Sequence, residues 1–381
     1  MRSLNIILRA TFTVLSTCSC LAETNVDKRE FLVGGDISML TRIEELGGVF
    51  RENGKPGGFL AILKKHRCNC HRLRIFVNPT YNNAVVQDVP YTIALAKRIK
   101  AHGAKLLLNF HYSDTWADPG HQRKPAAWQD LDFDALQKKV RDYTASVIAA
   151  FKEEGVLPDM VQVGNEITPG MLWPDGRIGH DAADEQWDRF VRLLKAGVEG
   201  VKEPLGRTPN IRIMIHIDRG GDWKTTKWFF DNIIKRGVEF DIIGQSYYPW
   251  WHGTMDDLRL NLQETARTYG KDIMVVETAY PHHSDSTLRT GEWSPDRMAW
   301  SVSPKGQHAF LAELIKTVRH TPNKCGLGVL WWYPESIPTK GLRIWCQGAM
   351  ALFDEGGNAL PAVKAFEATS DRDGCGSNGE S

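Results

Sequence analysis

The chain has 381 residues, enough for one large barrel or two ordinary domains. Lys and Arg number 47 against 46 Asp and Glu, with no polybasic run, which argues against nucleic acid or an anionic membrane surface as partner. Tryptophan is the outlier at 13 residues: an indole face stacks on the C–H face of a sugar ring, although barrels also bury Trp between helices and strands.

Arg2 and Arg9 flank the start of a short apolar run through Ala10, Phe12, Val14 and Leu15, and Cys20-Leu21-Ala22 before Glu23 is a small-residue cleavage site. Residues 1–22 therefore read as an export signal, which places the mature chain outside the cytoplasm, secreted or periplasmic. Leu15-Ser16-Thr17-Cys18 is also similar to a lipoprotein box, leaving a lipid on Cys18 as the alternative to a soluble product. No later stretch reaches the length of a membrane span. Cleavage leaves Cys68, Cys70, Cys325, Cys346 and Cys375; Cys325 with Cys346 is the favoured pairing because both lie near the last strand, and the 68–70 spacing does not suit zinc.

In the mature chain, residues 31–38 form an apolar strand ending in glycines and Asp36, and 59–66 have a helical period with a basic last turn. Strand two covers 70–79, where alternation puts Arg72, Arg74 and Phe76 on one face. An Arg inside a barrel is costly unless paired, so Arg74 is expected to meet a carboxylate. A helix over 91–102 and strand three over 105–114 follow, the latter running into a loop through Trp116 and Trp128 that is rich in donors and indoles, as binding loops are. A helix over 133–154 leads to strand four, Asp159-Met160-Val161-Gln162-Val163-Gly164-Asn165-Glu166.

After a Pro-rich loop carrying Trp173 come a helix over 187–199, strand five over 211–218 with His216 near its exit, and a helix over 228–235. Strand six begins at Phe240 and ends in an aromatic loop to Gly253, and a helix over 255–269 precedes strand seven, Ile273-Met274-Val275-Val276-Glu277. A helix over 304–320, strand eight over 326–334 and a Gly-, Asp- and Ser-rich tail complete the chain. Eight apolar strands alternating with helices, without a composition break, predict a single parallel (β/α)8 TIM barrel over 23–368 with a flexible tail at 369–381. Polar and aromatic residues gather after the strands, so the functional face is expected at their C-terminal ends.

Nothing in the packing of a buried strand calls for the Gly-Asn-Glu ending of strand four, or for Glu277 at the end of strand seven. Two carboxylates facing each other across a barrel mouth suit glycoside hydrolysis, one protonating the leaving oxygen while the other attacks or activates water. The alternative is a pair of unrelated strand-end salt bridges.

The motifs His111-Tyr112-Ser113-Asp114-Thr115-Trp116-Ala117-Asp118-Pro119-Gly120, Gly164-Asn165-Glu166-Ile167, Ser246-Tyr247-Tyr248-Pro249-Trp250-Trp251-His252-Gly253-Thr254, Val276-Glu277-Thr278-Ala279-Tyr280-Pro281 and Ala351-Leu352-Phe353-Asp354 are ordered along the chain. Together they resemble the arabinogalactan endo-β-1,4-galactanases of glycoside hydrolase family 53, from Gly34 to about Phe366. The resemblance implies a retaining hydrolase of β-1,4-galactan, the galactose side chains of pectin, with Glu166 as acid/base and Glu277 as nucleophile. Retention carries the expectation of carboxyls about 5–5.5 Å apart. Arg74 and the Tyr247 hydroxyl are the expected partners holding Glu277 ionised, and Asn165 is the expected donor to the sugar 2-hydroxyl.

His111, His216 and His252 are candidates for binding sugar hydroxyls or else structural histidines. Trp116 and Trp332 are the first choices as stacking platforms, with Trp173 and Trp251 behind them. Asp36 is either a hydroxyl ligand or a helix cap.

Two departures stand out: Asn109 where the family usually has Asp, and Trp332-Tyr333-Pro334-Glu335-Ser336 where it usually has Trp-Glu-Pro-Ala-Trp. Neither touches the glutamate pair, but both bear on subsite preference. No metal site and no required cofactor are expected; some bacterial members hold a structural calcium, yet His282-His283-Ser284-Asp285-Ser286 lacks calcium-loop spacing. The expected partner is the polysaccharide, and the expected state is a monomer. The rivals are a related endo-glycanase acting on mannan, xylan or glucan and a non-catalytic sugar-binding relative.

Overall fold

Eight short apolar runs hydrogen-bond side by side in a computed structural model that describes residues 30–206, 211–284 and 293–369. The export segment, Cys18, Cys375 and the tail beyond 369 lie outside the described residues. Contacts divide the chain after Glu30, and the unit beginning at Phe31 contains the whole barrel. Its strands are β1 (Leu32–Asp36), β2 (Cys70–Ile75), β3 (Lys105–Phe110), β4 (Met160–Val163), β5 (Arg212–Ile217), β6 (Ile242–Tyr247), β7 (Asp272–Thr278) and β8 (Gly326–Trp332). Each pairs in parallel with its sequence neighbours, and β1 pairs with both β2 and β8 to close the cylinder. The expected (β/α)8 TIM barrel is the observed fold.

The helices are α1 (Leu40–Glu45), α2 (Phe59–Lys65), α3 (Val89–Ala101), α4 (Phe133–Glu153), α5 (Asp184–Lys202), α6 (Trp223–Lys235), α7 (Pro249–His252), α8 (Met255–Tyr269) and α9 (Pro304–Arg319). Most of the long ones start where a side chain accepts from an otherwise orphaned backbone N–H. Asp88 receives Tyr91 N, Asp132 receives Ala135 N, and Thr254 exchanges bonds with Asp257 in a capping box. α5 begins at Asp184 rather than at Trp187 because its first turn is polar, and α6 begins at Trp223 rather than at Trp228, with the Asp222 side chain accepting from Thr225 N. The buried stripe of α4, Leu136, Val140, Val147, Ile148 and Phe151, has the period of a helix lying on a sheet.

Inside the cylinder Leu107, Met160, Met214, Met274 and Val276 pack as one buried cluster that plugs it below the mouth. Cys325 and Cys346 are not joined. Cys325 sits just before β8 at the N-terminal end of the barrel, whereas Cys346 lies in the wall of the cleft at the other end. The seven-residue strand between those levels far exceeds the Cα separation of about 4.4–6.8 Å that a disulfide spans.

Candidate active site

Two backbone irregularities bring the glutamates to the mouth. β4 stops at Val163, and Gly164 follows with φ +81°, where a Cβ would lie 2.7 Å from Ile167 Cγ2. Glu166 itself has φ +49°, a left-handed conformation that a carboxylate-bearing residue adopts only when its surroundings hold it there. The second irregularity is in β7, where Gln245 pairs with Val275 but Ser246 pairs with Glu277. Val276 is thus the extra residue of a bulge. It packs into the barrel interior, and Glu277, which strict alternation would turn outward, also faces the mouth.

The two carboxylates have different company. Arg72, fully buried, brings Nη1 to 2.8 Å from Glu277 Oε1, and the Tyr248 hydroxyl donates to Oε2 at 3.3 Å. Burial pushes the Glu277 pKa up, the Arg72 charge and hydrogen bond pull it back, and Asp36 raises it. Glu166 has no such cation: its Oε1 accepts from Ser246 Oγ at 2.6 Å. Burial, then the charges of Glu277 and Asp218, hold its pKa well above the ordinary carboxyl range.

Both glutamates line a cleft of about 1090 Å³ that also takes in His111, Trp116, Asn165, Trp251, His252 and Trp332. Asn165 is fixed by Arg72 Nη2 donating to Oδ1 (2.6 Å) and by its own Nδ2 donating to Ala117 O (2.8 Å), which leaves its second amide hydrogen for a ligand. Asn109 Nδ2 also donates to that Oδ1 at 3.0 Å, a bond an Asp could not make while ionised. His111 accepts from Ala117 N through Nδ1, and burial together with Arg72 and Arg74 keeps it neutral. His252 accepts from Tyr248 N, its pKa lowered to about 3 by burial first and Arg219 second. One face of Trp116 is covered by Arg74, whose guanidinium carbon lies 4.2 Å from the ring centroid.

The other expected contacts are placed elsewhere. Arg74 meets a carboxylate, but it is Asp36 at 3.0 Å; the guanidinium on Glu277 belongs to Arg72. Asp36 is fully buried between both arginines and Ser38, and so is neither a sugar ligand nor a helix cap. The Tyr247 hydroxyl turns away to Gly253 O at 3.1 Å, and the adjacent Tyr248 serves Glu277 instead. His216 is enclosed behind Glu166, with Nε2 2.9 Å from Ser246 Oγ. Trp173 lies off the cleft, its indole N–H given to Pro169 O and its ring under Arg177. Residues that sequence reasoning did not single out for the cleft include Asp218, Arg219, Tyr248, Tyr333, Arg343 and Trp345. The His282–Ser286 stretch is described only to Ser284, and among the described residues no three His, Cys, Asp or Glu gather as metal ligands would. No described helix is long and apolar enough to cross a membrane.

The model of Glycosyl hydrolase family 53 matches residues 32–366, the whole barrel. The chain belongs to that family. It is therefore a glycoside hydrolase. An arabinogalactan endo-β-1,4-galactanase of Thermothelomyces thermophilus is 35% identical over 333 residues, covering 85% of this chain and 96% of that protein. An uncharacterized protein in the bgaB 5′ region of Niallia circulans is 45% identical over 360 residues, covering 89% of this chain and 94% of its own. The GH53 catalytic domain of Ignisphaera aggregans superposes with a TM-score of 0.81 at 36% identity, covering 90% of this chain and 97% of that one.

Proposed function

We propose that this enzyme cleaves internal β-1,4-galactosidic bonds of galactan with retention, Glu277 acting as nucleophile and Glu166 as acid/base. The observation that carries the assignment is the unequal surroundings of the two carboxyls: Glu277 has a guanidinium 2.8 Å away, and Glu166 has only a neutral hydroxyl and negative neighbours. An arginine keeps a nucleophile ionised, and burial beside other carboxylates keeps an acid protonated.

In the first step a Glu277 oxygen forms a bond to the anomeric carbon, the bond to the leaving glycosidic oxygen breaks, and that oxygen takes the proton of Glu166. Esterifying Glu277 removes its charge, so the Glu166 pKa falls and its carboxylate can take a proton from water. That water attacks the anomeric carbon, the ester bond breaks and Glu277 leaves as carboxylate. Asn165, with one amide hydrogen left over, donates to the 2-hydroxyl of the reacting sugar. Trp116 and Trp332 offer apolar faces to sugars beside it. Two carboxyls suffice for this chemistry, so no cofactor enters the scheme. The substrate is taken from the named relatives, and export rests on the character of residues 1–22.

The test is release of reducing ends from linear β-1,4-galactan by the wild type beside Glu277→Ala, with mannan, xylan and glucan as controls. Activity on galactan alone, lost in the variant and restored by azide as the α-galactosyl azide, supports substrate, nucleophile and retention together. Cleavage of a control polymer instead moves the substrate assignment, and an active Glu277→Ala enzyme removes the nucleophile.

A further inference from the structure

Behind Glu166 a row of buried polar groups has one consistent set of proton positions. Arg72 Nε donates to Gln162 Oε1 at 3.1 Å, which turns the amide nitrogen of Gln162 away from the guanidinium. That nitrogen has two hydrogens and lies 3.0 Å from Gly164 O, 3.1 Å from Asn165 Oδ1 and 2.9 Å from His216 Nδ1. With Asn165 Oδ1 taken up by other donors, they go to Gly164 O and Nδ1, and the backbone N–H of Glu166 points at the same Nδ1 from 3.4 Å. Asn165 Oδ1 is also 3.2 Å from Nδ1 but already accepts from Arg72 Nη2 and Asn109 Nδ2. Two donors aimed at Nδ1 make it the unprotonated nitrogen, and the ring proton then sits on Nε2. Nε2 is 2.9 Å from Ser246 Oγ, whose lone pair receives it. The hydroxyl proton of Ser246 is left with one direction, to Glu166 Oε1 at 2.6 Å.

Gln162, His216 and Ser246 are all fully buried, and the β7 bulge sets Ser246 level with Glu277. We infer that Ser246, oriented by His216 and Gln162, is a positioning residue that keeps Glu166 Oε1 an acceptor, so that the proton delivered to the leaving oxygen is carried on Oε2.

This rests on the proposed acid/base role of Glu166. A permanent donor on one oxygen has two effects. It fixes which oxygen faces the glycosidic bond as an acid, and it favours the carboxylate, tempering the rise in pKa that burial imposes. The other groups acting on Glu166 are Glu277 on β7, Asp218 after β5, Asp118 after β3 and Tyr248 after β6. None of them is altered by changing Ser246, and His216 is held neutral by burial and by Arg72.

The experiment compares pH profiles of kcat/KM on linear β-1,4-galactan for wild type, Ser246→Ala, Ser246→Thr and Glu166→Gln, with melting temperatures confirming the fold. Ser246→Ala should move the alkaline limb up by about one pH unit and lower kcat about tenfold. KM should stay nearly constant, and Ser246→Thr, which keeps a hydroxyl, should return the limb toward wild type. A merely structural serine would change the melting temperature without moving the limb. An unmoved alkaline limb in folded Ser246→Ala, with Glu166→Gln inactive, overturns the positioning role alone. A Glu166→Gln enzyme as active as wild type overturns the acid/base assignment itself.

Discussion

Arg72 is the residue on which the ionised state of Glu277 depends, and Arg72→Met isolates that dependence because Met replaces the buried stem and removes the charge. Two unit charges 2.8 Å apart attract by about 6 kcal/mol at an effective dielectric of 20, the equivalent of about four pH units. Asp36 shares the same Nη1 at 3.3 Å, so about half of that, roughly two units, is the working expectation for Glu277. In the variant the acidic limb of kcat/KM on linear β-1,4-galactan should therefore move up by about two pH units, a loss of about 50-fold at the midpoint of the wild-type limb.

Stability should follow the same sign. Glu277 already titrates above its ordinary value in the folded chain and would titrate higher still without Arg72. The folded state then holds a proton that the unfolded state has lost, so stability falls as pH rises from the unfolded pKa to the folded one. Breaking a buried pair costs about 3–5 kcal/mol, felt fully above that window and relieved below it. Arg74→Met is the control, since its guanidinium pairs with Asp36 and not with Glu277, and it should shift the limb less. An Arg72→Met profile whose acidic limb coincides with that of wild type would refute the reasoning.

Tyr248→Phe should lower kcat about tenfold by removing the hydroxyl 3.3 Å from Glu277 Oε2, while Tyr247→Phe should spare kcat and cost about 1 kcal/mol of stability in a denaturation midpoint. Glu335, buried, accepts from Met39 N at 3.0 Å through one oxygen and has no partner for the other, and burial and then Asp36 raise its pKa to about 8. A carboxyl moved from 4.5 to about 8 loses the folded state up to about 5 kcal/mol as pH rises through that interval. Glu335→Gln should accordingly melt at a higher temperature than wild type above neutral pH and differ little near pH 4; equal melting temperatures at both would count against it.

The fold was legible because its signal is repeated. Eight buried strands read as apolar runs, and the helices between them show caps and a 3.6-residue stripe. The glutamates were legible for the opposite reason, as polar endings that strand packing does not require. What the sequence hid depends on side-chain direction at the mouth. Alternation put Arg72 and Arg74 on one face but could not say which guanidinium reaches Glu277 and which stops at Asp36. Tyr247 ends β6 with its hydroxyl on Gly253 O, whereas Tyr248, the residue before α7, reaches Glu277, and adjacency alone does not tell the two apart. His216 looked like a cleft residue because it sits near a strand exit, yet its ring is covered by Gln162 and Ser246. The bulge at Val276 leaves no mark in composition, since Val suits either side of a strand.

The charges at the mouth make a case for the division of labour that does not depend on either glutamate's strand. Asp36, Glu166, Asp218, Glu277 and Glu335 are all buried there, against the buried guanidiniums of Arg72 and Arg74 and the partly exposed one of Arg219, which pairs with Asp218 at 3.6 Å. Five ionised carboxylates on three cations would leave two negative charges uncompensated in a site where isolated charges are expensive. Protons make up the difference, and they settle on the carboxyls that no arginine touches. Asp36 contacts both guanidiniums and Glu277 contacts Arg72; Glu335 and Glu166 have hydrogen-bond donors but no ion pair. Burial and Asp36 raise the Glu335 pKa to about 8, so one proton is expected there, sealed in the wall. The other is expected on Glu166, at the cleft surface, where the proposed mechanism gives it to a leaving oxygen. Placing the arginine beside Glu166 instead would exchange the roles without moving a strand.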